Sequence, residues 1–362
     1  LQAFNDKSRK IQIFVAKKDL NYRFSKWLNW EFFPWWLANI PVYGFYAWFA
    51  LRARHLFFFT NVNPDIPLGG AMGESKIDIL NLLPKEIVPR AVVVQAHQTF
   101  EETLKAMQSA GLEFPIIAKP DVGERGFLVK KIEDTTELAA HLSRYKVDFI
   151  LQEFLHLPIE MTVLFHRYPG QTQVKISSVC EKAFLSVSGD GISSIRVLMG
   201  RELRAALQLP RFEKEQAALL DLVPAKGENF LLEPIGNHVR GTKFLNGNHY
   251  IDQPLIDTIS VVCSQMPGIL YGRFDLKCAS IEALKQGDFK VMELNGVLGE
   301  PAHVYDPEFG MWRAYRDLYL HWRILFRLHR AQKRSGVSPA SHRASWKLIQ
   351  QYFRYKKALE AV

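Results

Sequence analysis

From Phe32 to Leu51 the chain runs FFPWWLANIPVYGFYAWFAL, twenty residues without a charge. That is long enough to cross a bilayer, so this segment restricts the possible folds before anything else is known. Its composition argues against a span. Pro34 and Pro41 interrupt a helix, and Trp35, Trp36, Tyr43, Tyr46 and Trp48 prefer the membrane interface to the hydrocarbon centre. Both flanks are basic, with Lys26 before the run and Arg52 and Arg54 after it, whereas a span is usually biased to one side. Three readings remain: an arm buried against the body, an anchor lying in a membrane surface, and a span. A cleaved signal peptide fits poorly, because the run starts late and no A-x-A-like site follows it.

Charge follows the same division of the chain. Residues 1–26 hold seven basic and two acidic side chains, or +5, and residues 312–362 hold twelve and two, or +10. Against a total of +9, the body between them is left at −6. A mildly acidic centre with basic ends points to flanks that touch something anionic. Three cysteines, Cys180, Cys263 and Cys278, with no C-x-x-C spacing, give neither a disulfide framework nor a zinc site, and a reducing compartment fits them. We therefore expect an arm over 1–59, a body over 60–311 and a basic tail over 312–362.

The body alternates helical and strand-like patterns. Thr99-Phe-Glu-Glu102 reads as a capping box opening a helix that stops at Gly111, and Asp134-Thr-Thr-Glu137 opens another running to about Tyr145. Between them lie two apolar runs, Pro115–Lys119 and Phe127–Lys131, joined by the loop Asp121-Val-Gly-Glu-Arg-Gly126. Backbone amides at Gly123 and Gly126 could meet phosphate there, with Lys119 adding a point charge, although glycine hairpins are common. Further on, Gly272-Arg-Phe-Asp-Leu-Lys277 and Phe289-Lys-Val-Met-Glu-Leu-Asn-Gly296 place Asp275, Glu293 and Asn295 on two candidate adjacent strands. Glu293 and Asn295, two apart, share a face. Oxygen ligands of this kind suit magnesium completed by nucleotide phosphates, and an edge hairpin with a solvated face is the plain alternative.

These residues resemble the ATP-grasp superfamily, specifically its D-alanine:D-alanine ligase-like carboxylate-amine ligases. The resemblance extends upstream through Ile116-Ile-Ala-Lys119-Pro and its loop, Phe149-Ile-Leu-Gln-Glu153-Phe-Leu, Glu160-Met-Thr-Val and Lys76, and covers about residues 74–311 in the family's order. Ser188-Gly-Asp-Gly191 is similar to a segment of the cyanophycin synthetase and bifunctional glutathione synthetase branches. It implies an α+β fold of two subdomains clasping ATP. Lys76 and Lys119 would neutralise phosphates, Glu153 with the backbone at Phe154 and Leu155 would hold adenine, and Glu160 would accept from ribose. Asp275, Glu293 and Asn295 would hold two magnesium ions, or manganese, and Arg273 would face phosphoryl oxygens or a developing oxyanion.

The implied reaction phosphorylates a substrate carboxylate from ATP, and an amine then displaces the phosphate to form an amide. The loop at 121–126 and Gly189-Asp-Gly191 would serve as lids that keep water out. Departures from the family are also plain. The histidine-glycine loop and the substrate-holding glutamate of the D-alanine ligases are missing, and Glu124 and Arg125 replace the paired serines of the phosphate loop. The acid and the amine are therefore open, with small-molecule and lipid-linked substrates both admissible.

Arg240, in Gly236-Asn-His-Val-Arg240-Gly-Thr-Lys243, could bind triphosphate or a substrate carboxylate, or sit in a surface turn. His303 either borders the substrate or is solvated, and Cys278 has no visible base partner and reads as structural. In the tail, Trp312, Tyr315, Tyr319, Trp322 and Phe326 recur every three or four residues with Arg313, Arg316, Arg323, Arg327 and Arg330 interleaved, followed by a second helix over Ser345–Leu359. Packing on the body, contact with anionic lipid at the cytoplasmic face of a membrane, and a dimer contact through the arm are the uses open to these flanks. Nucleic acid is disfavoured, since no recognised binding motif accompanies the charge. A non-catalytic ATP-binding protein is the competing class.

Overall fold

In the computed structural model, residues 33–123, 127–145 and 147–360 are described. Gly126, with Glu124 and Arg125, lies outside them, as do the basic residues of 1–26. The chain is α+β. Its first lobe is an antiparallel sheet of β1 (Ala91–Val94), β2 (Ile116–Pro120), β3 (Lys130–Ile132) and β4 (Phe149–Glu153), in the order β1-β4-β2-β3. Two helices cover it, each capped as its sequence dictates. The Phe100–Ser109 helix has the full Thr99/Glu102 capping box, and in the Thr135–Arg144 helix Asp134 accepts from the Glu137 amide. Their apolar sides pack with Ile116, Ala118, Ile132, Phe149 and Leu151 into a core. The strand expected over Phe127–Lys131 starts only at Lys130, because Leu128 adopts a φ of 55°, outside strand conformation.

The second lobe is a five-stranded antiparallel sheet ordered β11-β10-β5-β6-β9. Its strands are β5 (Ile159–His166), β6 (Lys175–Ala183), β9 (Lys243–Asn246), β10 (Tyr271–Cys278) and β11 (Phe289–Asn295). Alternation decides its two faces. Met161, Val163, Phe165, Val179, Phe274, Leu276 and Val291 point to one side and pack on the Gln253–Ser264 helix. Glu160, Lys182, Arg273, Asp275 and Lys277 take the other side by the same alternation. Between Asp275↔Glu293 and Leu276↔Val291 the register slips by one residue, so Met292 is the extra residue of a β-bulge.

A satellite unit between β6 and β9 pairs β7 (Ser186–Ser188) with β8 (Asn229–Leu231) around its own small core, including Leu198, Phe212 and Leu220.

The arm and tail meet each other. The Ile40–Ala53 helix buries Val42, Phe49 and Ala50 against Leu318, Trp322, Leu325 and Phe326 of the Met311–Arg334 helix. Leu164, Tyr271 and Val297 of the second lobe join the same cluster, so the polar face of the sheet is roofed at one end. Asn63, fully buried, fixes this junction. Its Nδ2 donates to the carbonyls of Gly69 at 3.0 Å and Tyr271 at 2.8 Å, and its Oδ1 accepts from the amides of Leu270 and Tyr271 at 3.0 Å. The arm is therefore buried on one side, and among the described residues no helix is long and apolar enough to cross a membrane. Fourteen residues of helix span about 21 Å, short of the ~30 Å hydrocarbon layer.

Candidate active site

The open end of the second sheet's polar face carries a buried network. Lys182 Nζ lies 2.8 Å from Glu160 Oε1 and 3.0 Å from Asp275 Oδ2. Arg273 Nε donates to Asp275 Oδ1 at 2.9 Å, and Asn295 Nδ2 reaches the same oxygen at 3.3 Å. Lys277 Nζ stands 4.0 Å from Glu160 Oε2. Burial alone would lower the Lys182 amine, but Asp275 and Glu160 outweigh it and hold the ammonium above the usual lysine range. Burial likewise pushes Asp275 up, and Arg273 and Lys182 reverse it, leaving the carboxyl below its ordinary value.

Asp275 stands directly opposite Glu293, and Arg273 opposite Asn295. Two carboxylates facing each other across a ladder repel unless cations lie between or beside them. Lys182 and Arg273 answer that need for Asp275, whereas Glu293 has no hydrogen bond or ion pair with a described residue. Among the described residues, no three His, Cys, Asp or Glu side chains come together as a metal cluster, so the acid set here is a pair plus the Asn295 amide. A pair of carboxylates is enough for magnesium when phosphates complete the shell.

The first lobe supplies two lysines. Lys119, buried on β2, donates to Gln152 Oε1 at 2.9 Å and to the Met292 carbonyl at 3.1 Å, which belongs to the bulge residue. Burial lowers its amine to about 8, partly offset by Glu293, with Lys76 lowering it further and Asp121 and Asp275 raising it. Lys76 opens a short helix capped by Ser75 and donates to the carbonyls of Asp121 at 3.3 Å and Gly123 at 2.6 Å. It thus holds the first half of the expected phosphate loop. Lys76, Lys119, Lys182, Arg273 and Lys277 oppose Asp121, Glu160, Asp275 and Glu293 in one electrostatic cluster, an excess of one cation suited to a polyphosphate.

Other expected residues lie elsewhere or hold other partners. Glu153, at the end of β4, is clamped by Arg90, whose Nε and Nη2 each lie 3.2 Å from a carboxylate oxygen. Its carboxylate thus fastens β4 to the residue before β1, and the expected adenine hinge, the backbone at Phe154 and Leu155, follows it in the chain. Lys277 reaches that hinge, donating to the Leu155 carbonyl at 3.4 Å and lying 5.5 Å from the Phe154 ring. Arg240 is drawn to Glu233 at 3.4 Å, a carboxylate it shares with Arg211 at 2.9 Å.

Two expectations need correction. His303 is buried rather than solvated. Its ring nitrogens meet Ser178 Oγ at 2.7 Å and Asp317 Oδ2 at 3.1 Å, so it bolts the loop after β11 to the tail helix. Gly189-Asp-Gly191 is not a free lid. Gly189 exchanges backbone hydrogen bonds with Glu228 and Gly227, Asp190 accepts from the amides of Ile192 and Ser193, and a Cβ on Gly189 would fall 2.1 Å from the Ala225 carbonyl. Cys278 is structural as read, since burial raises its thiol to about 11.

Lys182 was not singled out from sequence, though it is the centre of the network. Its only signal is alternation: Ser178, Cys180 and Lys182 share one face of β6, the face that carries Glu160 and Asp275 on the neighbouring strands.

Comparison with known proteins gives no match to any family profile and none to any curated protein. Solved structures do align. A bifunctional glutathione synthetase from Pasteurella multocida matches over 68% of this chain and 36% of its own, at 16% identity and a TM-score of 0.35. The VanG D-Ala:D-Ser ligase from Enterococcus faecalis matches over 70% and 61%, at 13% identity and 0.42. A D-alanine–D-alanine ligase from Bacillus anthracis matches over 72% and 68%, at 13% identity and 0.39. The chain thus spans about a third of the glutathione synthetase and three-fifths of the D-Ala:D-Ser ligase. These superpositions are loose, and the side chains of the buried network carry the functional reading. The two-lobed α+β layout that the ATP-grasp resemblance implies is the one the chain adopts.

Proposed function

We propose that this chain is an ATP-dependent carboxylate-amine ligase that forms an amide through an acyl phosphate. The observation that carries the reading is the contact of Lys119 with the Met292 bulge, which draws the lysines of one lobe into the field of Asp275 and Glu293 on the other. The nucleotide phosphates would lie between Lys76, Lys119 and Lys182, with adenine at the Phe154–Leu155 hinge and ribose at Glu160. Asp275, Glu293 and Asn295 fit magnesium as an oxygen-only set that leaves positions for phosphate. When bound, that metal would neutralise charge on the transferring phosphoryl group.

The protein's own part is positioning and charge. A substrate carboxylate oxygen takes the γ-phosphoryl group of ATP, releasing ADP. Arg273, anchored on Asp275 and on the Glu300 carbonyl at 3.1 Å, would face the acyl oxygen as it gains charge. An amine then attacks the acyl carbon, phosphate leaves with the bonding pair, and the proton lost from the nitrogen goes to the departing phosphate. Proximity of the two substrates supplies much of the acceleration, since phosphoryl transfer needs little covalent help.

The test is a panel of acids and amines incubated with ATP and magnesium, scored by phosphate release and by mass gain of the product. Binding of magnesium-ATP with no phosphate release across the panel would instead support a non-catalytic nucleotide-binding protein.

A further inference from the structure

The ligase reading leaves the outer side of the arm and tail without a role, and that surface is unusual in two ways. The Ile40–Ala53 helix is apolar on the side away from its core. Ile40, Tyr43, Trp48 and Leu51 fall on one side of the helix with 54%, 47%, 53% and 75% of their surface exposed, and Trp36 precedes them. A helix that meets only water carries polar residues there. The Met311–Arg334 helix next to it carries Arg313, Arg316, Arg323, Arg327, Arg330 and Arg334 along one exposed stripe about 32 Å long. Among the described residues only Arg316 of these six meets an acid, with Nε 2.9 Å from Asp317 Oδ1.

The two features join at one ring. The Arg52 guanidinium lies 5.4 Å from the centre of Phe326 and 5.8 Å from that of Trp48, and the Arg330 guanidinium lies 5.9 Å from Phe326. The apolar face therefore runs into the basic one without a break. Beside the junction, Arg327, Arg330 and Arg334 line a depression of about 260 Å³ with Tyr168 and Ala331.

We propose that this surface docks on an anionic phospholipid membrane. Trp36, Tyr43, Trp48 and Leu51 would enter the boundary between headgroups and acyl chains, where amphipathic aromatic rings are favoured. The arginine row would meet lipid phosphates, which a guanidinium fork grips in two hydrogen bonds. Neither competing occupant accounts for both halves. A nucleic acid would satisfy the arginines and leave the apolar row in water. A second copy related by a two-fold axis would cover the apolar row and bring two unneutralised arginine rows together.

The experiment is co-sedimentation of the full chain with vesicles of phosphatidylcholine, with and without phosphatidylglycerol. Binding is expected only to the mixed vesicles, weakening as salt rises. Replacing Arg327→Gln and Arg330→Gln should weaken partitioning about 25-fold, about fivefold per arginine near the surface. Trp48→Ala with Leu51→Ala should weaken it about tenfold or more. Far-UV circular dichroism checks that each variant is folded. Should a variant unfold, quenching of the unaltered protein's tryptophan fluorescence by brominated phosphatidylglycerol replaces it.

Equal binding to neutral vesicles, no binding, or no quenching overturns the proposal. So does duplex DNA binding that the Trp48 and Leu51 replacements leave unchanged while lipid binding is absent, or self-association that these replacements abolish in the absence of lipid. Phosphate release is read separately, so failure of the ligase reading and failure of this one are distinguishable.

Discussion

Lys119 Nζ donates to the carbonyl of Met292 from one lobe to the other, 3.1 Å away, linking a strand of the first sheet to the bulge of the second. The bulge takes Met292 out of the ladder register, so this carbonyl is available to a side chain from the other lobe. One contact therefore sets where Lys119 stands relative to Asp275 and Glu293.

Because burial holds the Lys119 amine at about 8 rather than its ordinary 10.5, the unfolded chain binds more protons between these values. Its contribution to stability thus rises with pH across that window, the penalty being fully present below about 8. Function runs the opposite way. Magnesium-ATP affinity should fall as pH is raised through about 8, and Lys119→Arg, which keeps its charge, should flatten that profile. Titration calorimetry across the range checks it, and an identical profile in the variant would remove Lys119 from the phosphates.

Glu293 is the acid of the pair with no hydrogen bond or ion pair to a described residue, so its charge is spare for a ligand. Glu293→Gln should leave the thermal midpoint nearly unchanged and lower phosphate release about 100-fold or more. Unaltered turnover would mean that the metal assignment is wrong.

Lys182 neutralises two buried carboxylates at once. Lys182→Met should destabilise the fold by about 3–5 kcal/mol, because Glu160 and Asp275 are left facing each other without their shared cation. Chemical denaturation of the variant measures this; a loss under about 1 kcal/mol would show that the network is solvated.

Gly236 backs onto Glu160. An added Cβ would fall 2.2 Å from Glu160 Oε1 and 3.0 Å from Lys182 Cδ, so Gly236→Ala must displace the carboxylate. A cost of about 1–3 kcal/mol and weakened nucleotide binding are expected. Denaturation and calorimetry on the same sample separate the two effects.

Asn63→Leu should be costlier, by about 3 kcal/mol or more, since the Leu270 and Tyr271 amides and the Tyr271 carbonyl would lose this partner and the Gly69 carbonyl would keep only the Val297 amide. If the variant melts like the parent, the arm is not fastened there.

Part of the candidate site's framework was legible in the sequence. Thr99 and Asp134 announced their helices, because caps act through bonds only three residues away. The placement of Asp275, Glu293 and Asn295 on neighbouring strands, with Glu293 and Asn295 on one face, followed from the two-residue period of a strand. Local rules of this kind act over a few residues, and sequence carries them directly.

What the fold alone decided depends on contacts between distant segments. No local rule brings Lys182 to Asp275 across 93 positions, turns Glu153 towards Arg90 across 63, or buries His303 between Ser178 and Asp317. Nor does the uncharged run say which of its sides is covered. Phe49 and Val42 are buried only because Trp322 and Phe326, nearly three hundred residues on, return to pack against them. The chain's own pattern set the elements and the chemistry each carries. Partnership between them arose from burial, which leaves a charge taken out of water in need of an opposite one or a hydrogen-bond acceptor and gathers apolar faces together.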